Sequence, residues 1–215
     1  LIAQYKLCYL KKLHLNLIDA DHKNMITSLI KLLAQGILFL FGWRMNTKNP
    51  SMLRCVVIAA PHTSNWDFFL MILFSSAFGL KTKWMGKSTL FIPPFGYFLR
   101  SLGGIPVKRE SKNKLVTNMI DLFSRGEELM LVVPVEGTRG YTKYWKSGFY
   151  HIAFGAKVPI LPTFLDYNRK IGGFGLPLMA TGNVQSDMQI LRDFYRPFSG
   201  KYPSNSGPIK LREER

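Results

Sequence analysis

Leu53-Arg54-Cys55-Val56-Val57-Ile58-Ala59-Ala60-Pro61-His62-Thr63-Ser64-Asn65-Trp66-Asp67 is the stretch whose reading decides the fold class. Its first eight residues form an apolar run broken only by Arg54, with the β-branched Val56, Val57 and Ile58 at the centre. A short run of this kind without polar alternation reads as a strand buried on both faces, and such strands belong to parallel sheets covered by helices. Pro61 closes the run. The apolar stretch over about 64–78 that follows is long enough for a helix, with Thr63 or Ser64 to cap it and Asp67 in its first turn.

The same alternation continues outward. Apolar runs rich in Val, Ile and Leu recur at 104–107, 128–133 and 158–165, and 82–86 fits a further one. Amphipathic stretches at about 112–126 and 147–156 separate them. Strand and helix patterns in this order predict an α/β fold with a largely parallel central sheet flanked by helices. Residues 171–181 read as a further strand or hairpin, and 186–198 as a last helix with Ser186 at its N-cap. From Pro203 the chain is polar, and the expectation is a frayed end. The division expected is an α/β domain over 46–202 and a polar tail over 203–215.

Residues 25–45 have another texture. The run from Leu29 to Trp43 is apolar apart from Lys31 and Gln35, which is short for a membrane span. It predicts an N-terminal apolar helix associating with a membrane surface, anchored by Trp43 and Arg44, with packing on the protein's own core as the alternative. Residues 1–24 are basic and only loosely periodic, and Met25 reads as the natural start after an upstream extension.

The 215 residues carry 29 Lys plus Arg against 13 Asp plus Glu, a formal net charge of +16. Such an excess attracts polyanions and leaves anionic lipid, nucleic acid and phosphorylated substrates in contention. The 16 Phe and four Trp lie largely in apolar runs rather than between basic residues, which favours a lipid surface over a base-stacking platform. No nucleic-acid recognition motif is present, so nucleic acid is not expected as a partner. Cys8 and Cys55 have no metal-ligand or disulfide spacing, and no metal site is expected.

Three constellations carry chemistry. His62 and Asp67 stand at H-x4-D spacing at the carboxyl end of the first strand, where α/β proteins place ligands. If the chain folds back there, the carboxylate fixes the imidazole tautomer and leaves the other ring nitrogen free to take a proton. Alone, this spacing fits a polar helix cap equally well. Pro134-Val135-Glu136-Gly137-Thr138-Arg139-Gly140 follows another strand; its glycines let backbone approach a ligand, and Arg139 presents a fork suited to phosphate. Alone, it fits a surface turn. The segment from Lys81 to Lys114 holds eight basic residues, among them Lys87 and Arg109, around the apolar block Leu90 to Leu99. Cations flanking a greasy block suit a ligand with a phosphate head and an acyl tail, and also suit a solvated basic face.

Together, His62 and Asp67, the EGTR of Glu136 to Arg139, and Val158-Pro159-Ile160-Leu161-Pro162 resemble, in order, the glycerolipid acyltransferases of the lysophosphatidate acyltransferase (PlsC-like) type, over roughly residues 50–166. Pro61 stands where that family often has Asn. The resemblance implies His62 as catalytic base and Asp67 as its orienting partner. It implies acceptor or phosphate binding by Glu136, Gly137, Thr138 and Arg139, with Lys87 and Arg109 as the nearest matches to the family's second block. It further implies an O-acyltransferase that moves a fatty acyl group from acyl-CoA or acyl-carrier protein to a hydroxyl of a lysophospholipid or glycerol-phosphate acceptor. The thioester is then a co-substrate, with no cofactor or metal, and the enzyme works on the cytoplasmic face of a membrane. The alternative is a non-catalytic basic protein that keeps the fold and docks on anionic lipid.

Overall fold

A computed structural model describes residues 24–47, 49–50, 52–107 and 112–214. The expected extension over 1–24 thus lies almost wholly outside the described residues, as does Arg109.

Among the described residues the sheet has seven strands: β1 (Arg44–Met45), β2 (Arg54–Ala59), β3 (Thr82–Lys87), β4 (Gly104–Val107), β5 (Leu129–Pro134), β6 (Ile160–Asp166) and β7 (Ile171–Phe174). Their spatial order is β1-β7-β6-β2-β5-β3-β4. Every neighbouring pair is parallel except β6 and β7. The central strands β2 and β5 are buried along almost their whole length, which is why they read as continuous apolar runs.

Alternate residues of these strands face two cores. Val56, Ile58, Leu131, Val133 and Ile160 pack with α4 (Lys112–Ser124), α5 (Gly148–Ala156) and α6 (Val184–Tyr195), through Phe123, Phe149, Ile152, Met188 and Leu191. Cys55, Val57, Met130, Val132 and Leu161 face the other way, against Trp84, Phe91 and Leu99 and against Phe68, Met71 and Ile72 of α2 (Trp66–Phe78). Leu99 belongs to the short α3 (Phe95–Ser101). Burial pushes the Cys55 thiol up to about 12, so it is an inert core residue.

The N-terminal helix α1 covers residues 24–40 and lies outside this second layer. Ala34 and Leu38 pack on Leu70, Phe74, Ala77 and Phe78 of α2, and the Gln35 amide donates to the Ala77 carbonyl at 3.0 Å. The chain then leaves the helix, and Arg44–Met45 joins the sheet edge beside β7. Trp43, expected at a lipid interface, is instead 8% exposed and edge-on to Phe74 and Tyr167. The apolar run that precedes it made Trp43 look like an interfacial anchor, but the turn at 41–42 swings it inward.

Two other expectations are corrected. The cap of α6 is Asn183, whose side chain accepts from the Ser186 N–H at 3.1 Å, three residues earlier than predicted. The segment from Pro203 is not frayed through to its end. Leu211 is 1% exposed and bridges Trp145, and Glu214 pairs with Arg192. An apolar anchor and one ion pair hold a segment whose composition alone reads as loose.

Candidate active site

In the sheet, β2 and β5 are parallel neighbours in a register that pairs Ala59 with Pro134. The turns after these two residues therefore emerge side by side at the carboxyl edge. After β2 the chain enters α2 on one face; after β5 it continues to α5 on the other. This divergence opens a crevice at the switch in strand order, the usual place for ligands in such sheets. The contact is direct: the His62 backbone N–H donates to Glu136 Oε1 at 3.1 Å, across 74 positions of sequence.

Within the first turn the chain does fold back. His62 Nδ1 lies 3.0 Å from Asp67 Oδ2, and the same oxygen accepts the N–H groups of Thr63 and Ser64 at 2.9 Å each. Ser64 Oγ accepts from the Trp66 N–H at 3.2 Å, so the start of α2 is held by Ser64 while its own first-turn carboxylate reaches backward. Burial alone would raise the Asp67 carboxyl, but the bonds from His62, Tyr167 and Ser64 outweigh it and hold the group below its ordinary value. Facing an ionised Asp67, Nδ1 is the nitrogen that carries the proton in a neutral imidazole, and Nε2 is then the one able to accept another. The imidazole is 21% exposed and Asp67 only 6%, so the base meets ligand while its partner stays dry.

These side chains line a cavity of about 980 Å³. Its apolar lining includes Val57, Met71, Ile72, Trp84, Met130 and Val132, and its polar lining includes His62, Asp67, Lys87, Thr138 and Arg139. Among the described residues neither Lys87 nor Arg139 has a carboxylate partner, which leaves both cations to an anionic ligand. Gly137 takes φ +68, and an added Cβ would crowd the Lys146 side chain at 3.2 Å. The Thr138 hydroxyl turns back to accept the Gly140 N–H at 3.2 Å.

Of the predicted site residues, His62, Asp67, Lys87, Gly137, Thr138 and Arg139 thus share one cavity. Glu136 does not line it. It is 4% exposed, and its Oε2 has no hydrogen-bond partner. Burial raises its carboxyl, against the lowering effect of the His62 N–H. It is set behind the His62 turn rather than toward a ligand. Tyr167, missed in the sequence, places its hydroxyl 2.5 Å from Asp67 Oδ1. Its only sequence signal is a polar aromatic at the carboxyl end of a strand.

A largely parallel α/β sheet thus carries a His–Asp pair beyond the carboxyl ends of its strands, in an apolar cavity that Lys87 and Arg139 also line. The sequence matches the family model described as Acyltransferase over residues 44–166, more than half the chain, and the protein belongs to that family. It is 30% identical over 132 residues to the 1-acyl-sn-glycerol-3-phosphate acyltransferase of Haemophilus influenzae, covering 57% of this chain and 54% of that one. The chain therefore spans about half the length of that relative. The crystal structure of the 1-acyl-sn-glycerophosphate acyltransferase PlsC from Thermotoga maritima superposes with a TM-score of 0.52, over 80% of this chain and 76% of that one. At 16% identity this likeness speaks to the fold, which is the α/β architecture expected.

Proposed function

We propose that this chain transfers a fatty acyl group from a thioester, acyl-CoA or acyl-carrier protein, to a hydroxyl of a lysophospholipid or glycerol-phosphate acceptor at the cytoplasmic face of a membrane. The observation that carries the reading is the His62–Asp67 contact of 3.0 Å in the lining of the apolar cavity. Family membership and the 1-acyl-sn-glycerol-3-phosphate acyltransferase relative support it.

In this mechanism His62 Nε2 takes the acceptor hydroxyl proton as that oxygen attacks the thioester carbonyl. Asp67 stabilises the imidazolium that forms. The tetrahedral intermediate then expels the thiolate, which leaves with the proton carried by His62. The product is an ester and a free thiol, and no covalent acyl-enzyme is needed. Lys87, Arg139 and the Gly137–Thr138 backbone hold the acceptor phosphate. Glu136 holds the His62 turn, and the cavity, in the size range of small-molecule sites, takes the acyl chain. The direct test is incubation with labelled acyl-CoA and a panel of lysolipids and glycerol 3-phosphate. Absence of thioester release with every acceptor would favour a docking protein without turnover. Arg139→Lys loses the planar fork but keeps the charge, so it should raise KM for the acceptor about tenfold and change kcat little.

Membrane attachment through α1 belongs to the same proposal. No helix among the described residues is long and apolar enough to cross a membrane. Yet α1 and the turn after it expose Leu29, Leu32, Leu33, Phe39, Leu40 and Phe41, the last three at 79%, 81% and 68%. An apolar surface of this kind on a chain of net charge +16 fits the interface of an anionic bilayer. Replacing Phe39 and Leu40 by Glu removes apolar contact and adds repulsion. It should weaken co-sedimentation with phosphatidylglycerol-containing vesicles by about tenfold or more. Unchanged vesicle binding would exclude α1 as the attachment.

A further inference from the structure

The Asp67 carboxylate accepts hydrogen bonds on both oxygens, and they divide unequally. Oδ2 takes the His62 ring and the N–H groups of Thr63 and Ser64, all from the turn that Asp67 itself closes. A carboxylate gripped through one oxygen can still pivot about it. Among the described residues the bond to Oδ1 comes from one donor, the Tyr167 hydroxyl at 2.5 Å, 100 positions away at the end of β6. We propose that Tyr167 is a positioning residue for the His62–Asp67 pair: it fixes the plane of the Asp67 carboxylate and limits how much of its negative charge reaches the imidazole. This inference rests on the acyl-transfer reading of the site.

Tyr167 is itself held from two directions. Its N–H donates to the Ser199 carbonyl at 3.0 Å. Its ring meets Trp43 edge-on, with centroids 5.1 Å apart and planes at 87°. Trp43 is locked in turn against Phe74 of α2, and its N–H donates to the Leu38 carbonyl at 2.8 Å. A hydroxyl at the tip of so constrained a ring has little freedom to follow the carboxylate, so the carboxylate must conform to it. Burial, then the bond to Asp67, push the phenol well above its ordinary value, so it remains a donor throughout any working pH.

Among the described residues, Lys87 and Arg139 line the same cavity as this pair, and two further titratable groups lie close to it. Glu136, from the end of β5, is buried beside His62, and its charge and that of Asp67 oppose each other. Tyr202, from the C-terminal segment, faces Tyr167, and its N–H donates to Thr63 Oγ1 at 3.2 Å. A contrasting case shows what a merely satisfied tyrosine looks like here. Tyr195 lies with its hydroxyl 3.0 Å from the carbonyls of Ile58 and Thr163, two backbone groups outside the dyad. Tyr167 instead meets the one carboxylate on which the imidazole depends.

The test is the pH dependence of kcat/KM for acyl transfer in wild type, Tyr167→Phe and His62→Ala. Phenylalanine keeps the ring against Trp43 and removes only the hydroxyl. Tyr167→Phe should lower kcat about tenfold and leave both KM values within about twofold. It should also move the acidic limb of the profile to higher pH. Without the hydroxyl Asp67 loses one of the bonds that hold its carboxyl below its ordinary value, so the dyad reaches its ionised, active form further up the scale. A Tyr167→Phe enzyme with wild-type kcat and an unmoved limb, beside an inactive His62→Ala, would overturn the positioning role alone. A lower kcat with an unmoved limb and a reduced melting temperature would reveal a structural tyrosine and overturn it too. Transfer that survives in His62→Ala, or is absent from wild type, would overturn the acyl-transfer reading and this inference with it.

Discussion

His62→Ala is expected to lower kcat/KM for acyl transfer by about four orders of magnitude while leaving the fold in place. The size follows from what His62 does in the proposed mechanism: it is the proton acceptor for an alcohol that is otherwise a poor nucleophile at neutral pH. Among the described residues no serine or cysteine side chain is hydrogen-bonded to the imidazole to offer a second route. The fold should survive because the turn is held by backbone bonds that alanine keeps. The residue 62 N–H still reaches Glu136, and Thr63 and Ser64 still reach Asp67. The check is a radiolabel transfer assay paired with a thermal melt. Near-normal transfer by a folded His62→Ala protein would rule out the imidazole as base.

Much of this arrangement was legible before any coordinates. The two-faced burial of β2 and β5 writes itself as Val, Ile and Leu without polar alternation, so their positions and those of the turns after them follow from composition. His62 and Glu136 each follow such a strand and could be placed at its carboxyl end. What could not be read was which strands are neighbours. The pairing of Ala59 with Pro134 brings Glu136 onto the His62 N–H, and the pairing of β2 with β6 brings Tyr167 within reach of Asp67. Neither leaves a local signal. β1 is two residues long and has no pattern to detect. Trp43 misled because a tryptophan beside an arginine after an apolar run has the composition of an interfacial anchor, and only the turn at 41–42 decides otherwise. The resemblance to the EGTR block groups Glu136 with the acceptor-binding residues, and no local signal reveals that it is buried. Its burial depends on the neighbouring turn, which lies 74 positions earlier.

Asp67→Asn should be damaging but less so than the corresponding change in many His–carboxylate sites, with kcat falling about a hundred- to a thousandfold. The usual cause of a larger loss is an amide that presents its NH2 group to the imidazole and forces the wrong tautomer. Here two backbone N–H groups, of Thr63 and Ser64, converge on the same oxygen that meets His62. They demand an acceptor at that position and so orient the amide with its oxygen toward the imidazole. The NH2 then faces Tyr167, whose hydroxyl can rotate to accept. The tautomer is kept, and what is lost is the negative charge that stabilises the imidazolium. Asp67→Ala is a different experiment. It strands the N–H groups of Thr63 and Ser64, residues only 2% and 5% exposed. At about 1–3 kcal/mol for each orphaned donor, it should destabilise the fold by roughly 2–6 kcal/mol as well as remove activity. The pair of variants therefore separates charge from architecture: Asn should melt near wild type with a slowed reaction, and Ala should lose both. An Asn variant as unstable as Ala would mean that the amide oxygen does not satisfy the two backbone donors, and the orientation argued for the amide would fall.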